Sequence, residues 1–485
     1  MAFTKTPAEN TDQTKYVNLV QQIKNRDKAG TKDIIPINCY FDMQDNKRVG
    51  DKDDEVVKRD GTVAYAYTIP SATIRGMHYW KDQNKLFVAY DDKIAVITAS
   101  TGVLVTTLTP WVSTTGDVGF TEFEYTSTAV KLVACDGTKI ITIDSGNTVV
   151  TGADVDQPTT ISPHIVYLDG YLFILKLNST DIYNSNLDDP LAYTAGDFIT
   201  AESTPDLAVR LARLNNYIVV FGTTTIEYFW DAANASGSPL QRYDTPIKLI
   251  GYLGGLAEYN NKLYFVGQSK NTSPDVYIME DLKIRSATES QESIRRYMMP
   301  YSSFLGAVVS MGGRYFYVMT VGTVTYMLDA TTELWTRLAF KATSTMPIIL
   351  AVTIPISGQE NNSLFVQSGS ATLHYFDADI YQDAGTNFTV TMQTDKEKFD
   401  TLRVKMFSRI IIHANKPSAS SNIDVSWTDD DYQTFSTPRS IDLSVAFPGF
   451  YRLGLSRERA FKLTYTDNYP LRMSMLEIDY NLGQK

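Results

Sequence analysis

Cysteine is nearly absent from this chain: 485 residues contain two, Cys39 and Cys135, each inside an apolar run. So few thiols exclude a disulfide scaffold and any CxxC metal or redox pair, and both are expected to be buried and free. That expectation places synthesis and folding in a reducing cytoplasm. Histidine is almost as scarce; His78, His164, His374 and His413 stand far apart, with no metal-ligand spacing among them. No run of about 18 apolar residues occurs, so no membrane-spanning helix is expected. The opening MAFTKTPAENTDQTKY has no apolar core behind its charges, as a secretory signal would need. A GxSxG elbow and a GxxxxGK[ST] loop are also missing, which removes the serine-hydrolase and P-loop classes. Helical periodicity is missing almost everywhere, and ESQESIRRYMM (288–298) is the best short helix candidate. Positive charge is in deficit, with 44 Lys and Arg against 55 Asp and Glu, a net charge of −11. Such a balance argues against a surface that grips nucleic acid everywhere. It fits an acid-lined lumen that DNA passes without sticking, and equally a surface charge serving solubility.

What the chain does have is a hairpin that returns about every 45 residues. Copies read NKLFVAYDDKIAVIT (84–98), KLVACDGTKIITID (131–144), GYLFILKLNSTDIY (170–183) and NYIVVFGTTTIEYF (216–229). Three more follow: NKLYFVGQSKNTSPDVYIM (261–279), GRYFYVMTVGTVTYML (313–328) and NSLFVQSGSATLHYF (362–376). Corresponding positions Leu86, Leu132, Leu172, Ile218, Leu263, Phe316 and Leu364 are 40 to 53 residues apart. That spacing matches one four-stranded blade of a β-propeller, with six or seven blades. The 30 Tyr and 22 Phe suit pleated, half-buried surfaces. Within each copy a run such as LFVAY is apolar on both faces, as a strand between stacked blades must be.

The expected fold is therefore all-β: a propeller with an N-terminal arm and edge strand and a C-terminal β-sandwich. Residues 1–62 form the arm and a platform strand, 63–385 the propeller, and 386–485 a jelly-roll-like sandwich. Within the arm, Tyr16, Val17, Leu19, Val20 and Ile23 make a weak apolar stripe suited to a short helix. IIPINCYF (34–41) is a strand whose Pro36 suits an edge. DNKRVGDKDDEVVKRDGT (45–62) carries alternating charges and is expected to be a solvated loop. From 388 onwards, FTVTMQT, LRVKMFSRIIIHA, NIDVSWT, RSIDLSV, RAFKLTYT and LRMSMLEIDYNL alternate at shorter spacing, as sandwich strands do.

A propeller invites a search for an active site. Glu227, Glu258, Asp275 and Asp377 can be paired on paper as the carboxylates of a glycan hydrolase. TDDDYQTF (428–435) resembles a degenerate Asp-box hairpin without its glycine, a motif that is structural even when intact. Arg452, Arg457, Arg459 and Lys462 form a basic cluster, expected on a solvated sandwich face with a partner-binding edge as the alternative. No catalytic, cofactor-binding or metal residue is assigned, and no cofactor is expected.

The stretch TPDLAVRLARLNNYIVVFGTTTIEYFW (204–230) resembles a signature of the packaged-DNA stabilisation proteins, the tail hub or nozzle of short-tailed phages (podoviruses). Its matching residues are Pro205, Asp206, Phe221, Gly222, Thr224, Thr225, Ile226, Glu227, Tyr228 and Phe229. Further matches fall in the same order: Pro36-Ile37-Asn38, then Arg75, Gly76, Met77 and Tyr79, then Ser273 through Ile278. The last are Arg457, Arg459, Phe461, Lys462 and Leu463. The resemblance implies a non-enzymatic virion protein of the tail, assembled in the host bacterial cytoplasm without membrane insertion. It implies a homohexamer below the portal and its adaptor ring. That hexamer would retain packaged DNA without sequence-specific binding and carry tail fibres or spikes and a distal plug or needle. A propeller glycan hydrolase or a receptor-binding module of a phage tail remains the alternative.

Overall fold

The computed structural model describes residues 13–20, 35–43, 54–126, 129–201, 206–234, 236–244, 247–356 and 359–483, and nearly every regular element in it is a strand. Among the described residues the single α-helix is Glu292–Met298, inside the segment expected for it. The chain divides into two units, Ala64–Gly322 with Pro347–Phe376, and Met1–Val63 with Thr323–Met346 and Asp377–Lys485.

The first unit is the propeller. Blade 1 is Ile74–Trp80, Lys85–Tyr90, Lys93–Thr98 and Val103–Leu108; blade 2 is Gly119–Thr126, Ala129–Cys135, Ile140–Ile143 and Val149–Thr151. Blade 3 is Val166–Leu168, Tyr171–Leu175, Asp181–Asn186 and Asp189–Thr200; blade 4 is Ala208–Leu214, Tyr217–Gly222, Ile226–Asp231 and Leu240–Arg242. Blade 5 is Gly251–Tyr259, Lys262–Gln268, Asp275–Glu280 and Lys283–Ser286, and blade 6 opens with Leu305–Met311 paired to Arg314–Val321. Blade 7 joins Ile348–Ile356, Gln359–Gln367 and Thr372–Asp377 to strand Gly61–Thr68, from the opposite end of the sequence. Each blade neighbours the next, and Ile348–Ile356 neighbours Ile74–Trp80, so the ring closes with seven blades.

The repeated hairpin supplies the second and third strands of each blade, and the two-faced apolar run has a direct physical cause. Successive side chains of a strand point to opposite faces. In Lys85–Tyr90, Leu86, Val88 and Tyr90 pack with Ile354, Leu364 and Val366 of blade 7. The intervening Phe87 and Ala89 pack with Leu132, Ala134 and Ile141 of blade 2. The same split recurs in Tyr217–Gly222, where Ile218 and Val220 face blade 3 and Val219 and Phe221 face blade 5. Fully burying each such side chain contributes roughly 1.5–3 kcal/mol.

The turn between Tyr217–Gly222 and Ile226–Asp231 is held by one carboxylate. Asp206 accepts from Thr224 N and Thr225 N at 2.8 Å each, from Thr225 Oγ1 at 2.9 Å, and from Thr223 Oγ1. A Cβ at position 222 would lie 2.3 Å from Asp206 Oδ2, so only glycine lets the carboxylate in. Asp136 repeats the device in blade 2, accepting from Thr138 N at 2.9 Å and Lys139 N at 2.8 Å.

The second unit is a sandwich. One sheet runs Cys39–Asp42, Glu55–Lys58, Arg472–Leu482, Lys405–Ala414, Gly449–Ser456, with Gln13–Asn18 paired to Arg472–Leu482. The other runs Val390–Gln393, Ala460–Tyr465, Asn422–Thr428, Arg439–Asp442. Phe41, Val56, Ile410, Ile412, Leu476 and Ile478 of the first share a core with Val390, Met392, Ile423, Val425 and Leu463 of the second.

Three expectations need correcting here. The apolar stripe of the arm is a strand, not a helix: Gln13–Asn18 pairs with the C-terminal strand, and Val17, Leu19 and Val20 enter the sandwich core. Ile23 lies outside the described residues. The charged run is not wholly solvated, because Glu55–Lys58 is a strand and Asp54, Lys58, Arg59 and Asp60 are buried. Arg459 is not on a wet face either; it is buried against Phe407 and Trp427 and forks onto Asp429 at 2.7 Å through both Nε and Nη2.

Arg59 explains the burial of its segment. Its Nη1 and Nη2 donate to the two oxygens of Asp383 at 2.9 and 2.6 Å, and both side chains are 0% exposed. Nε donates to Asn38 Oδ1 at 3.0 Å, Nη1 to Asp60 O and Nη2 to Ala339 O at 2.8 Å each, so all five N–H groups are used. The Phe388 ring covers the guanidinium at 3.7 Å. Asn38 adopts a left-handed φ of 59° and also accepts from Ala339 N at 2.9 Å.

Arg59→Met, which strands the Asp383 carboxylate in the interior, is expected to cost about 3–5 kcal/mol in denaturant unfolding, with partial recovery when Asp383→Leu is added. Asp206→Ala, which leaves two amides of the blade 4 turn without an acceptor, is expected to cost about 2–3 kcal/mol by the same measurement, and Asp206→Asn less. Lys58 supplies a pH signature. Burial, with the Arg59 charge beside it, lowers its ammonium to about 7, while Nζ donates to Asp467 O at 2.7 Å. An unfolded lysine titrates near ~10.4. Between those values the unfolded chain binds more protons, so this group makes stability rise as pH goes from 7 towards 10. Melting temperatures of wild type and Lys58→Met across that window should show the rise flattened in the variant.

Candidate functional site

The first strand of every blade faces inward, and the seven together line a central channel of about 1110 Å³. Successive residues of an inner strand point to opposite faces, and bulges such as those at Ile74/Gly76 and Ala208/Arg210 shift the register, so polar side chains reach the channel beside residues that pack between blades. Blade 1 contributes Arg75 and His78, blade 2 Asp117 and Glu122, blade 3 His164, blade 4 Arg210 and Arg213, and blade 5 Tyr252 and Glu258. Three carboxylates thus face three guanidinia, and the channel is balanced rather than acidic.

Most of these groups already have partners. His78 Nε2 lies 3.0 Å from Glu122 Oε1, and His164 Nε2 lies 3.6 Å from Asp117 Oδ2. Arg75 donates to the carbonyls of Asp91, Ser113, Thr115 and Gly116 at 2.7–2.8 Å. Arg213 donates to Asn215 O at 2.8 Å and Tyr167 O at 3.2 Å. Burial raises the Glu258 carboxyl above its ordinary range, against the pull of Arg213. Burial first, and the charge of Arg210 second, lower His164 to about 3, so its imidazole is neutral at physiological pH. Tyr259 and Tyr315 stack at 4.2 Å beside Glu258. Among the described residues no group of three His, Cys, Asp or Glu is placed to hold a metal ion.

The carboxylates considered for glycan hydrolysis are not brought together around the channel. Only Glu258 lines it. Glu227 is buried in blade 4 with Arg242 Nε at 2.9 Å from its Oε2. Asp275 accepts from Ser286 Oγ at 2.8 Å and from Thr288 Oγ1. Asp377 closes strand Thr372–Asp377 and accepts from Asp379 N at 3.0 Å. The Asp-box-like turn is a self-contained loop in which Asp430 accepts from Thr428 Oγ1, Gln433 N and Thr434 N at 2.8–3.1 Å. Hydrogen bonds from Thr434 first hold that carboxyl down to about 2. Both cysteines are buried and free, and burial raises both thiols.

The signature residues sit in blade 4, away from the channel lining. Pro205 lies outside the described residues. Asp206, Gly222, Thr224 and Thr225 build the turn described above. Phe221, Ile226 and Tyr228 pack towards blade 5, and Phe229 packs towards blade 3. Of the channel residues, Arg75, His78, His164 and Glu258 figure in the sequence reading, whereas Asp117, Glu122, Arg210 and Arg213 are not among its candidate residues. A usable signal lies one strand before each hairpin, in GFTEFEY and AVRLARL, where charges are interspersed among apolar residues.

No curated protein matches the chain. Among solved structures, it is similar to a streptogramin B lyase, with 10% identity, 66% of this chain and 98% of that chain covered, and a TM-score of 0.44. It is similar to an inactive virginiamycin B lyase from Staphylococcus aureus with quinupristin, with 11% identity, 65% and 98% coverage, and a TM-score of 0.45. The WD40 domain of Neurospora crassa Pan2 is a further likeness, with 11% identity, 67% and 95% coverage, and a TM-score of 0.40. A family model described as bacteriophage P22 Gp10, beta-propeller, matches residues 17–345, more than half of the chain. The chain therefore belongs to the family of bacteriophage P22 Gp10, the β-propeller proteins that stabilise phage DNA, structural components of the virion rather than enzymes.

Proposed function

We propose that this protein forms the tail nozzle or hub that closes the portal channel after packaging, retains the DNA, and carries tail fibres or spikes. The family match over residues 17–345 carries the proposal. Six copies would form a ring below the portal–adaptor complex, with the distal plug or needle at its far end. DNA would pass through the lumen between subunits without sequence-specific contact. The channel inside the propeller, about 1110 Å³, is just above the roughly 300–1,000 Å³ of a small-ligand pocket, and a duplex whose major groove alone is about 12 Å wide has no place in it.

A ring of identical copies closes through heterologous contacts, so each protomer needs two unlike adhesive faces. Each unit offers one. In the propeller, Val103–Leu108 is the outermost strand of blade 1, and no charged residue occurs from 100 to 115. Val103 and Val105 are 61% and 47% exposed there, an apolar edge of the kind monomeric proteins blunt with charges. In the sandwich, Gly449–Ser456 is an edge strand that exposes Tyr451 (65%) and Leu455 (64%), with Met406 directly across from Leu455. Asp206, Phe221, Gly222, Thr224, Thr225, Ile226, Glu227, Tyr228 and Phe229, with Pro205, would act structurally, holding blade 4 rigid within that ring.

Purified chain mixed with portal–adaptor complexes and imaged by electron microscopy should add a six-fold ring with a central lumen. Val105→Lys combined with Leu455→Glu should weaken that assembly without lowering the melting temperature of the free chain. A protein that stays monomeric in sedimentation and never joins the complexes would overturn the proposal.

A further inference from the structure

Among the described residues, Arg210 of the channel forms no ion pair. Its strand, Ala208–Leu214, is the inner strand of blade 4. Nη1 donates to Tyr252 Oη at 3.2 Å, and Nε is buried with no acceptor among the described residues. The contrast with its neighbours is sharp. Arg75 distributes its N–H groups over four carbonyls and the Ser113 hydroxyl. Arg213 is bonded to two carbonyls. The channel's carboxylates are engaged elsewhere: Glu122 with His78, Asp117 with His164, and Glu258 under the pull of Arg213. A half-buried guanidinium with one of its five donors bonded among the described residues is costly, and native structures pair such groups.

We propose that the propeller channel binds a small oxyanion, a carboxylate or a phosphate, on Arg210 and Tyr252. The planar guanidinium of Arg210, which lines the channel, matches the two oxygens of either group. Tyr252 accepts from Arg210, which leaves its own proton free for the same anion. His164 lines the same channel and is neutral beside Arg210, so it adds no second positive charge to the site. Asp117, 3.6 Å from His164, is the opposing charge, and it favours a monoanion over a polyanion. Apolar wall residues Phe304, Ile349 and Leu350 face the remaining space, so the anion's organic body has room and cover. The site is independent of ring assembly, because all of these residues belong to one propeller unit.

The test is the melting temperature of the full chain titrated with sodium acetate, inorganic phosphate or sodium chloride at constant ionic strength, up to about 50 mM. Binding predicts a saturable rise with acetate, phosphate or both, and none with chloride; which anion acts separates carboxylate from phosphate. Arg210→Gln should abolish the rise, whereas Arg213→Gln should keep it. Tyr252→Phe, which retains the ring and removes the hydroxyl, should shift half-saturation to higher concentration and decides the matter if Arg210→Gln does not fold. No saturable rise with either anion, or an equal rise in Arg210→Gln and Tyr252→Phe, would overturn the proposal.

Discussion

The buried ion pair of Arg59 with Asp383 is the constraint on which the sandwich unit depends. It joins residues 324 positions apart, and its other acceptors and donors come from Asn38, Ala339 and Lys341. The chain passes between the two units at 63/64, 322/323, 346/347 and 376/377. Arg59 and Asp383 each lie within a few residues of one of those crossings, and Ala339 and Lys341 sit in the inserted segment between two others. One guanidinium with all five donors satisfied thus fixes, within its own unit, the segments on which the propeller insertion begins and ends. An apolar pair of similar volume would supply burial but no directional registration of three chain segments.

The propeller was legible in sequence because its signal is local. Leu86 to Tyr90 must satisfy two blades at once, so the strand is apolar throughout, and the seven copies repeat it at near-constant spacing. The arm and the charged run were misread for the opposite reason. Val17 is buried by a strand about 460 residues later, and Arg59 by a carboxylate 324 residues later, and no window around either residue contains its partner. Strand Gly449–Ser456 also escaped notice. Its Arg452 and Gly454 take positive φ, at 67° and 84°, and interrupt the period-two pattern by which strands are found. The channel was half legible: the charges of AVRLARL stand out between apolar residues, but that Arg210 has no ion-pair partner among the described residues is a property of seven strands meeting.

The acidic balance of the chain acquires a structural explanation. Several carboxylates are committed to main-chain amides at turns: Asp206 in blade 4, Asp136 in blade 2, Asp430 in the sandwich, and Asp329 to Thr331 N at 2.7 Å and Thr332 N at 3.1 Å. These charges hold hairpin tips and do not form a field aimed at nucleic acid. The even mixture of signs in the channel agrees with that division, since the lining carries as many guanidinia as carboxylates.

Strand order has a consequence for biosynthesis. Gly61–Thr68 waits for Thr372–Asp377 before blade 7 is complete, and Gln13–Asn18 and Glu55–Lys58 wait for Arg472–Leu482. In a nascent chain Cys39–Asp42 and Glu55–Lys58 can pair with each other early. Gln13–Asn18 and the second edge of Glu55–Lys58 stay unpaired until the last strand leaves the ribosome, and such distant pairing is slow. A product truncated before residue 472 lacks the strand that organises the sandwich sheet, and with it the sheet's exposed edge. The topology thus makes completion of the sandwich sheet wait for the end of translation.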